Sequence, residues 1–268
     1  MRNREPPSAT GVLGVLRADP SPALAAHTSI SLVISRASLS DLLGRARFDA
    51  HLRASDGDHE RAVQLCQWAA RVAGALHSQL LFVEIAVRNA MDRELRGWNA
   101  DRGSGPDWTS PHVAADPLYS LLRAPLTTAR RRSQGETERR SRSGRPDRPR
   151  LEHHDVVERL TFGAWVGLLH TTSDPTRQSL LWSEALHRAF PRAPQEDASR
   201  VALGHRLETL RRLRNRVAHH DDLLDVALAR RLNDMLSVLG LIDQAYPSFA
   251  AASGELRRLH REDPRRSR

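Results

Sequence analysis

A chain of 268 residues and 30.0 kDa has the length of one large domain or two small ones, enough to bury a core without covalent staples. Hydrophobic residues make up 40%, charged residues 27% and aromatics 4%, which excludes a fibrous or wholly disordered chain. No unbroken run of 18 apolar residues occurs, since Glu84 interrupts the best stretch at 80–87, so no membrane span is expected. The single cysteine, Cys66, excludes an internal disulfide framework and a cysteine-rich zinc site. Arg2 and Arg4 precede too short an apolar patch, residues 11–16, for a signal peptide. The expected location is the cytoplasm.

The net charge of +9 comes from 41 basic residues against 32 acidic ones, and every basic residue is arginine. Such exclusive use of arginine reads as codon bias in a GC-rich genome. Placement carries more information than number. Residues 130–150 hold nine arginines against three acidic residues, and residues 257–268 hold six against two. These segments carry +6 and +4, which leaves the rest of the chain at −1. Two flexible basic segments on a near-neutral body read either as non-specific phosphate-binding arms or as solvated loops.

Residues 1–37 contain Pro and Ser and lack periodicity, so an irregular leader is expected. From residue 38 onward the pattern is helical, with no strand-like alternation. A short helix is expected over 40–52, closed by Gly57, with Asp58 as the next N-cap. Over 58–98 the apolar positions Ala62, Leu65, Ala69, Val72, Leu76, Leu80, Val83, Val87 and Ala90 step by three and four. That is a long helical stripe, with a break expected near Gly74. Gly103, Gly105, Pro106 and Pro111 mark a loop, followed by a helix over 116–132. Residues 133–150 offer Gly, Ser, Pro and Arg with almost nothing apolar, so a disordered insert is expected. Helices follow over 155–170, 176–189, 197–220 and 223–245, with a weaker one over 248–260; Pro191 and Pro194 stop the second of these. The expected architecture is an all-α bundle in one domain, 38–262, with the basic insert at 133–150 and a basic tail at 263–268.

Most of the chemistry lies in Leu210-Arg-Arg-Leu-Arg-Asn-Arg-Val-Ala-His-His-Asp-Asp222. Helical geometry puts Asn215 and His219 on one face. Arg214 lies about 140° round the helix from His219, a gap that a long guanidinium can span. Leu210, Leu213 and Val217 would pack inward, leaving Arg214, Asn215 and His219 toward a groove or a partner. Imidazole moves protons near neutral pH, and guanidinium grips phosphate with two prongs. The pair suits phosphodiester chemistry; on an unrelated amphipathic helix it would be a solvated face.

Arg214-Asn-Arg-Val-Ala-His219 resembles the Arg-x4–6-His motif of the HEPN superfamily of ribonucleases, in particular its abortive-infection (Abi-like) family. Three further stretches resemble that family in the same order. They are residues 65–92, with Leu81-Phe-Val-Glu-Ile-Ala-Val-Arg-Asn-Ala-Met-Asp92; Leu160-Thr-Phe-Gly-Ala-Trp165; and Leu181-Trp-Ser-Glu-Ala-Leu-His-Arg-Ala-Phe-Pro191. Together the four span residues 39–245. Asp221-Asp222 stand where the family often has Glu-Pro, and the arginine-rich insert is longer and more basic than the family pattern. The resemblance implies a HEPN-like helical bundle and a homodimer whose groove forms between two motif helices. It implies a metal-independent endoribonuclease of a phage-defence or toxin–antitoxin type, with no cofactor. His219 would be the general acid/base and Arg214 would hold the scissile phosphate. Asn215 would orient one or the other, and His220 would be an auxiliary donor. Arg211, Arg212, Arg216, Arg88 and Asn89 are candidate RNA contacts, although Arg88 and Asn89 also read as structural anchors. RNA would be the substrate and a cognate antitoxin a further partner. The alternative is a non-catalytic helical module that binds RNA or protein through the same arginine-rich helix.

Other polar residues carry less. His153 and His154 lack a Cys or carboxylate at ligand spacing on their own expected helix face, so they read as a polar helix start. His219 and His220 would point about 100° apart on a helix, which disfavours a shared ion. No metal site is expected. Cys66, Trp68, Trp165 and Trp182 read as core residues, with base stacking left to any exposed Trp. No glycine-rich phosphate loop supports a nucleoside-triphosphate engine.

Overall fold

The computed structural model describes residues 34–142, 151–170 and 174–266. Among the described residues are eleven α-helices, one short 3₁₀ helix and no strand, as the all-α expectation requires. In chain order these are α1 Arg36–Leu43, α2 Arg45–Arg53, α3 His59–Asp101, α4 Leu118–Arg142, α5 His153–Arg159 and α6 Phe162–Gly167. Then come α7 Pro175–Glu184, the 3₁₀ turn Leu186–Ala189, α8 Asp197–Ala218, α9 Leu228–Ile242, α10 Tyr246–Ala250 and α11 Glu255–Arg261.

The 43 residues of α3 contain no proline, and its buried stripe never breaks. At 1.5 Å per residue such a helix is about 64 Å long. Asp58 caps its start, its carboxylate accepting the Arg61 N–H at 3.1 Å. No break occurs at Gly74, because an isolated glycine costs only about 1 kcal/mol in a helix and Val72, Leu76 and Leu80 beside it are buried. Packed against α3 are α2, α6, α8, α9, α11 and the 3₁₀ turn. One 18-residue window of α3 reaches a mean hydropathy of 1.3, so by length and composition alone this helix is apolar enough to cross a bilayer. A lone Glu84 does not lower that average enough to exclude it. In this fold 39% of the window is buried, on the side that meets the other helices.

The helix expected over 40–52 is two helices, α1 and α2, joined at Gly44, whose φ of +81° suits glycine. They close a satellite core of Leu39, Phe48 and Ala62 beside the main one. Residues 1–33 of the expected leader lie outside the described residues, and α1 begins at Arg36, inside it.

Two expectations about the basic segments need correction. First, α4 runs on to Arg142 instead of ending at 132. Ala129 and Ser133 continue its buried side, and the Ser133 hydroxyl donates to the Asp155 carbonyl at 2.8 Å. Glu136 and Arg139 add an ion pair at 2.8 Å along the helix surface. The extension, 133–142, is nearly three turns, and its polar composition hides it because Ser133 is small and polar yet buried. The rest of the expected insert, 143–150, lies outside the described residues. Second, the C-terminal segment is packed as far as Arg265. Leu256, Leu259 and Asp263 are buried, and the Trp68 indole donates to the Leu259 carbonyl at 2.8 Å. Arg265 donates to the Leu224 carbonyl at 2.6 Å and to Asp263 at 2.7 Å.

Helix α8 is held against α3, α6, α7 and α9. Its tightest approach is at Gly204, where a Cβ would come within 2.8 Å of the Leu169 carbonyl oxygen. One turn earlier, Arg200 is 1% exposed. It donates to the same carbonyl at 2.8 Å and to the Asp197 carboxylate at 2.6 and 2.9 Å. Gln178 of α7 donates to the Gly167 carbonyl at 2.6 Å and the His170 carbonyl at 2.5 Å. The carbonyls left over at the end of α6 are thus satisfied by side chains of α7 and α8.

Because a methyl group has no space there, Gly204→Ala should lower stability by about 1–3 kcal/mol, read as a fall in Tm. An unchanged Tm would mean that α6 and α8 separate freely.

Candidate functional site

Arg214, Asn215 and His219 fall on the last turn of α8 and its cap. The helix ends at Ala218, with His219 as C-cap and His220 in the left-handed region at φ +57°. The Asp221 N–H donates to the Arg216 carbonyl at 2.9 Å and the His220 N–H to the Val217 carbonyl at 3.2 Å, which is a Schellman turn. Glycine is the usual occupant of that left-handed position, and a residue with a Cβ pays about 1 kcal/mol there. Arg47 of α2 donates to the His220 carbonyl and ties the turn to the satellite hairpin. The His219 ring is exposed and has no partner among the described residues.

Arg214 leans toward α3, where its Nε lies 3.3 Å from a Glu84 carboxylate oxygen. Their side chains are 40% and 24% exposed, so the pair adds little stability. It does fix the direction of the guanidinium, whose two terminal nitrogens have no hydrogen-bond partner among the described residues. Other arginines of the motif are engaged. Arg211 and Arg212 both donate to Glu208, at 2.6 and 2.8 Å, and these bonds hold its carboxyl at about 2 against the opposing effect of burial. Arg216 donates to Asp225 at 2.5 Å and to the Asp222 carbonyl. Arg88 donates to the side chain of its neighbour Asn89 at 3.2 Å, which leaves these two as a local surface pair.

The nine residues singled out in the sequence do not share one pocket. His220 lines a groove of about 240 Å³ with Arg47, His51 and Cys66. Burial pushes the Cys66 thiol up to about 11, so it stays protonated at neutral pH. Asn89 lines a shallow groove with Arg93 and Arg96. Arg212 and Arg216 line a wider groove of about 480 Å³ between α8 and α9, with His170, His205 and Arg231. Arg214, Asn215 and His219 line none of these three. His170, His205 and Arg231 carry no joint signal in the sequence because they come from three separate segments, which meet where the backbone of Leu169 and His170 approaches Gly204 and where α9 packs on α8. Trp68, Trp165 and Trp182 are all buried, as core residues.

His153 starts α5, and packing brings two carboxylates to it that no local spacing reveals. Its Nε2 lies 2.9 Å from Asp92 and its Nδ1 2.9 Å from Asp107. The Trp108 indole also donates to Asp92 at 2.9 Å. With both ring nitrogens donating, the ring is imidazolium. Burial opposes that charge, but hydrogen bonding and attraction from Asp92, then Asp107, outweigh it and raise the pKa above the ordinary histidine value. For Asp107, burial pushes upward, yet bonds from Ser110, Thr109 and His153 carry it down to about 2. The carboxylates meet opposite edges of the ring and do not converge on one point. Among the described residues no group of three His, Cys, Asp or Glu side chains is arranged to hold a metal ion.

Compared with family models, with curated proteins and with solved structures, the chain matches none.

Two outcomes follow from these contacts. His153 has a raised folded-state pKa, so its clamp contributes fully below its ordinary value of 6.5 and fades as pH climbs through the folded value. The Asp107 contribution is present above 3.8 and falls away only as pH drops toward about 2. His153→Gln should therefore cost about 1.5–3 kcal/mol at mildly acid pH, and the gap to wild type should narrow in alkali. A gap that ignores pH would mean a neutral ring. Separately, His220→Gly should raise stability by about 1 kcal/mol, measured by urea unfolding; a loss would show that the imidazole makes compensating contacts.

Proposed function

We propose that this protein is a metal-independent endoribonuclease of a phage-defence or toxin–antitoxin type, a homodimer acting in the cytoplasm, like the Abi-like HEPN family that its motif resembles. The reading is carried by one observation: the unpaired ends of Arg214 and the unpaired ring of His219 stand at the same terminus of α8. The 2′-hydroxyl of the substrate attacks the adjacent phosphorus, loses its proton to a base, and displaces the 5′-oxygen, which takes up a proton. The products are a 2′,3′-cyclic phosphate and a 5′-hydroxyl. His219 serves as general acid/base, while the terminal nitrogens of Arg214 bind the phosphate and the charge that grows on it. Asn215 orients His219 or the phosphate, and His220 is an auxiliary donor. Arg214 and His219 leave one helix about 140° apart. In the proposed homodimer two copies of α8 would lie side by side, with the arginine of one and the histidine of the other on a single phosphate.

One observation favours a non-catalytic RNA- or protein-docking module instead. Glu84 sits on the guanidinium that phosphate needs, and a carboxylate at 3.3 Å repels an approaching phosphate.

Kinetics on purified protein separate the two. His219→Ala should lower cleavage by about 10²–10⁴-fold with RNA affinity little changed. Arg214→Lys, which keeps the charge but loses the fork, should also impair cleavage. Cleavage should persist in EDTA. Full activity in His219→Ala would overturn the assignment, and RNA binding through Arg214 with no cleavage by wild type would establish the docking module.

A further inference from the structure

We infer that the groove between α8 and α9 seats nucleotides of a single-stranded RNA leading to His219, an inference that rests on the ribonuclease reading above. The groove holds about 480 Å³, inside the range of about 300–1,000 Å³ typical of small-ligand clefts. Its floor is apolar, with Leu213, Val226 and Ala227, a surface for ribose and base. On and beside its walls stand five arginines, at 206, 211, 212, 216 and 231, against three carboxylates, Glu208, Asp225 and Asp234.

Each of those carboxylates already receives a guanidinium, so the capacity left over is for donation. Arg212 spends only its Nε, at 2.8 Å to Glu208, and Arg231 meets Asp234 at 3.0 Å through one terminal nitrogen. Their remaining N–H groups have no partner among the described residues, and a string of phosphates is the acceptor that matches them. The His170 and His205 rings sit edge to face, 5.1 Å between centroids, and neither ring has a hydrogen-bond partner among the described residues. They offer a base both a stacking edge and a donor.

The helix itself supplies the direction. On a 100° step, His205, Arg212, Arg216 and His219 all fall within about 60° of one another. From His205 to His219 the axial distance is about 21 Å, the length of a few nucleotides. A strand lying in this groove runs along α8 and leaves it at His219.

The test uses the full chain and a fluorescein-labelled 2′-O-methyl RNA of about 12 nucleotides, which lacks the attacking hydroxyl and cannot be cut. Arg212→Gln with Arg231→Gln should weaken binding about tenfold and reduce the salt slope by about 1.4. Arg257→Gln with Arg261→Gln, exposed on α11, should change affinity less than about twofold for equal loss of charge. His205→Ala alters an exposed side chain and keeps the test available if the arginine pair misfolds; it should weaken binding about fivefold. Equal effects of the groove and α11 variants would overturn the inference. Uridine 5′-monophosphate binding as tightly as the oligonucleotide would make the groove a free-nucleotide site and overturn the strand path. Groove variants with unchanged affinity in a chain that still cleaves RNA would remove the groove and leave the nuclease. Loss of binding in the groove variants of a chain that cleaves nothing would do the reverse.

Discussion

The position of the α8 terminus depends on α3. That helix runs 43 residues without a break, and α8 and α9 both pack against it. Glu84 faces Arg214 from its flank, so one element both supports the motif helix and sets the direction of its arginine. The second anchor is at the other end of α8, where Gly204 lets the backbone of Leu169 approach and Arg200 takes its carbonyl. A helix held at both ends and along its side presents its last turn as a fixed surface, which is what positioned catalysis needs.

Arginine has a second use in this chain besides charge. Arg47, Arg130, Arg200 and Arg265 each donate to backbone carbonyls in turns or beyond helix ends. A planar fork reaches a carbonyl and a neighbouring carboxylate at once, as Arg200 and Arg265 do, whereas a lysine offers only a point charge. The net charge of +9 therefore overstates the surface available to a nucleic acid. Groove-lining arginines, splayed by Glu208 and Asp225, are a smaller set with a defined direction.

The all-helical character and the places of α3, α8 and α9 were legible in the sequence because their stripes are long and periodic. The single helices expected over 155–170 and 248–260, in contrast, are each two, α5 with α6 and α10 with α11. The cap at Asp58, an aspartate directly before an apolar stripe, was legible too. The extension of α4 was not, because its polar composition outweighed Ala129 and Ser133, and the two-helix form of 36–53 turned on one glycine at φ +81°. At the site, the linear motif placed Arg214, Asn215 and His219 on the end of α8. It gave no sign of Glu84, of Arg47 on the His220 carbonyl, or of the His170–His205 pair. Each of these is a meeting between elements far apart in sequence, and no periodicity encodes such a meeting.

In the proposed reaction the RNA supplies its own nucleophile. A cleavable oligoribonucleotide carrying a single 2′-deoxyribose on the 5′ side of the cut tests it directly, because only that hydroxyl can attack the adjacent phosphorus. Wild-type protein should cut the all-ribose strand to a 2′,3′-cyclic phosphate and leave the substituted strand intact at that position. Cutting at the deoxyribose position, with an ordinary phosphate end, would mean that water is the nucleophile and would contradict the proposed reaction.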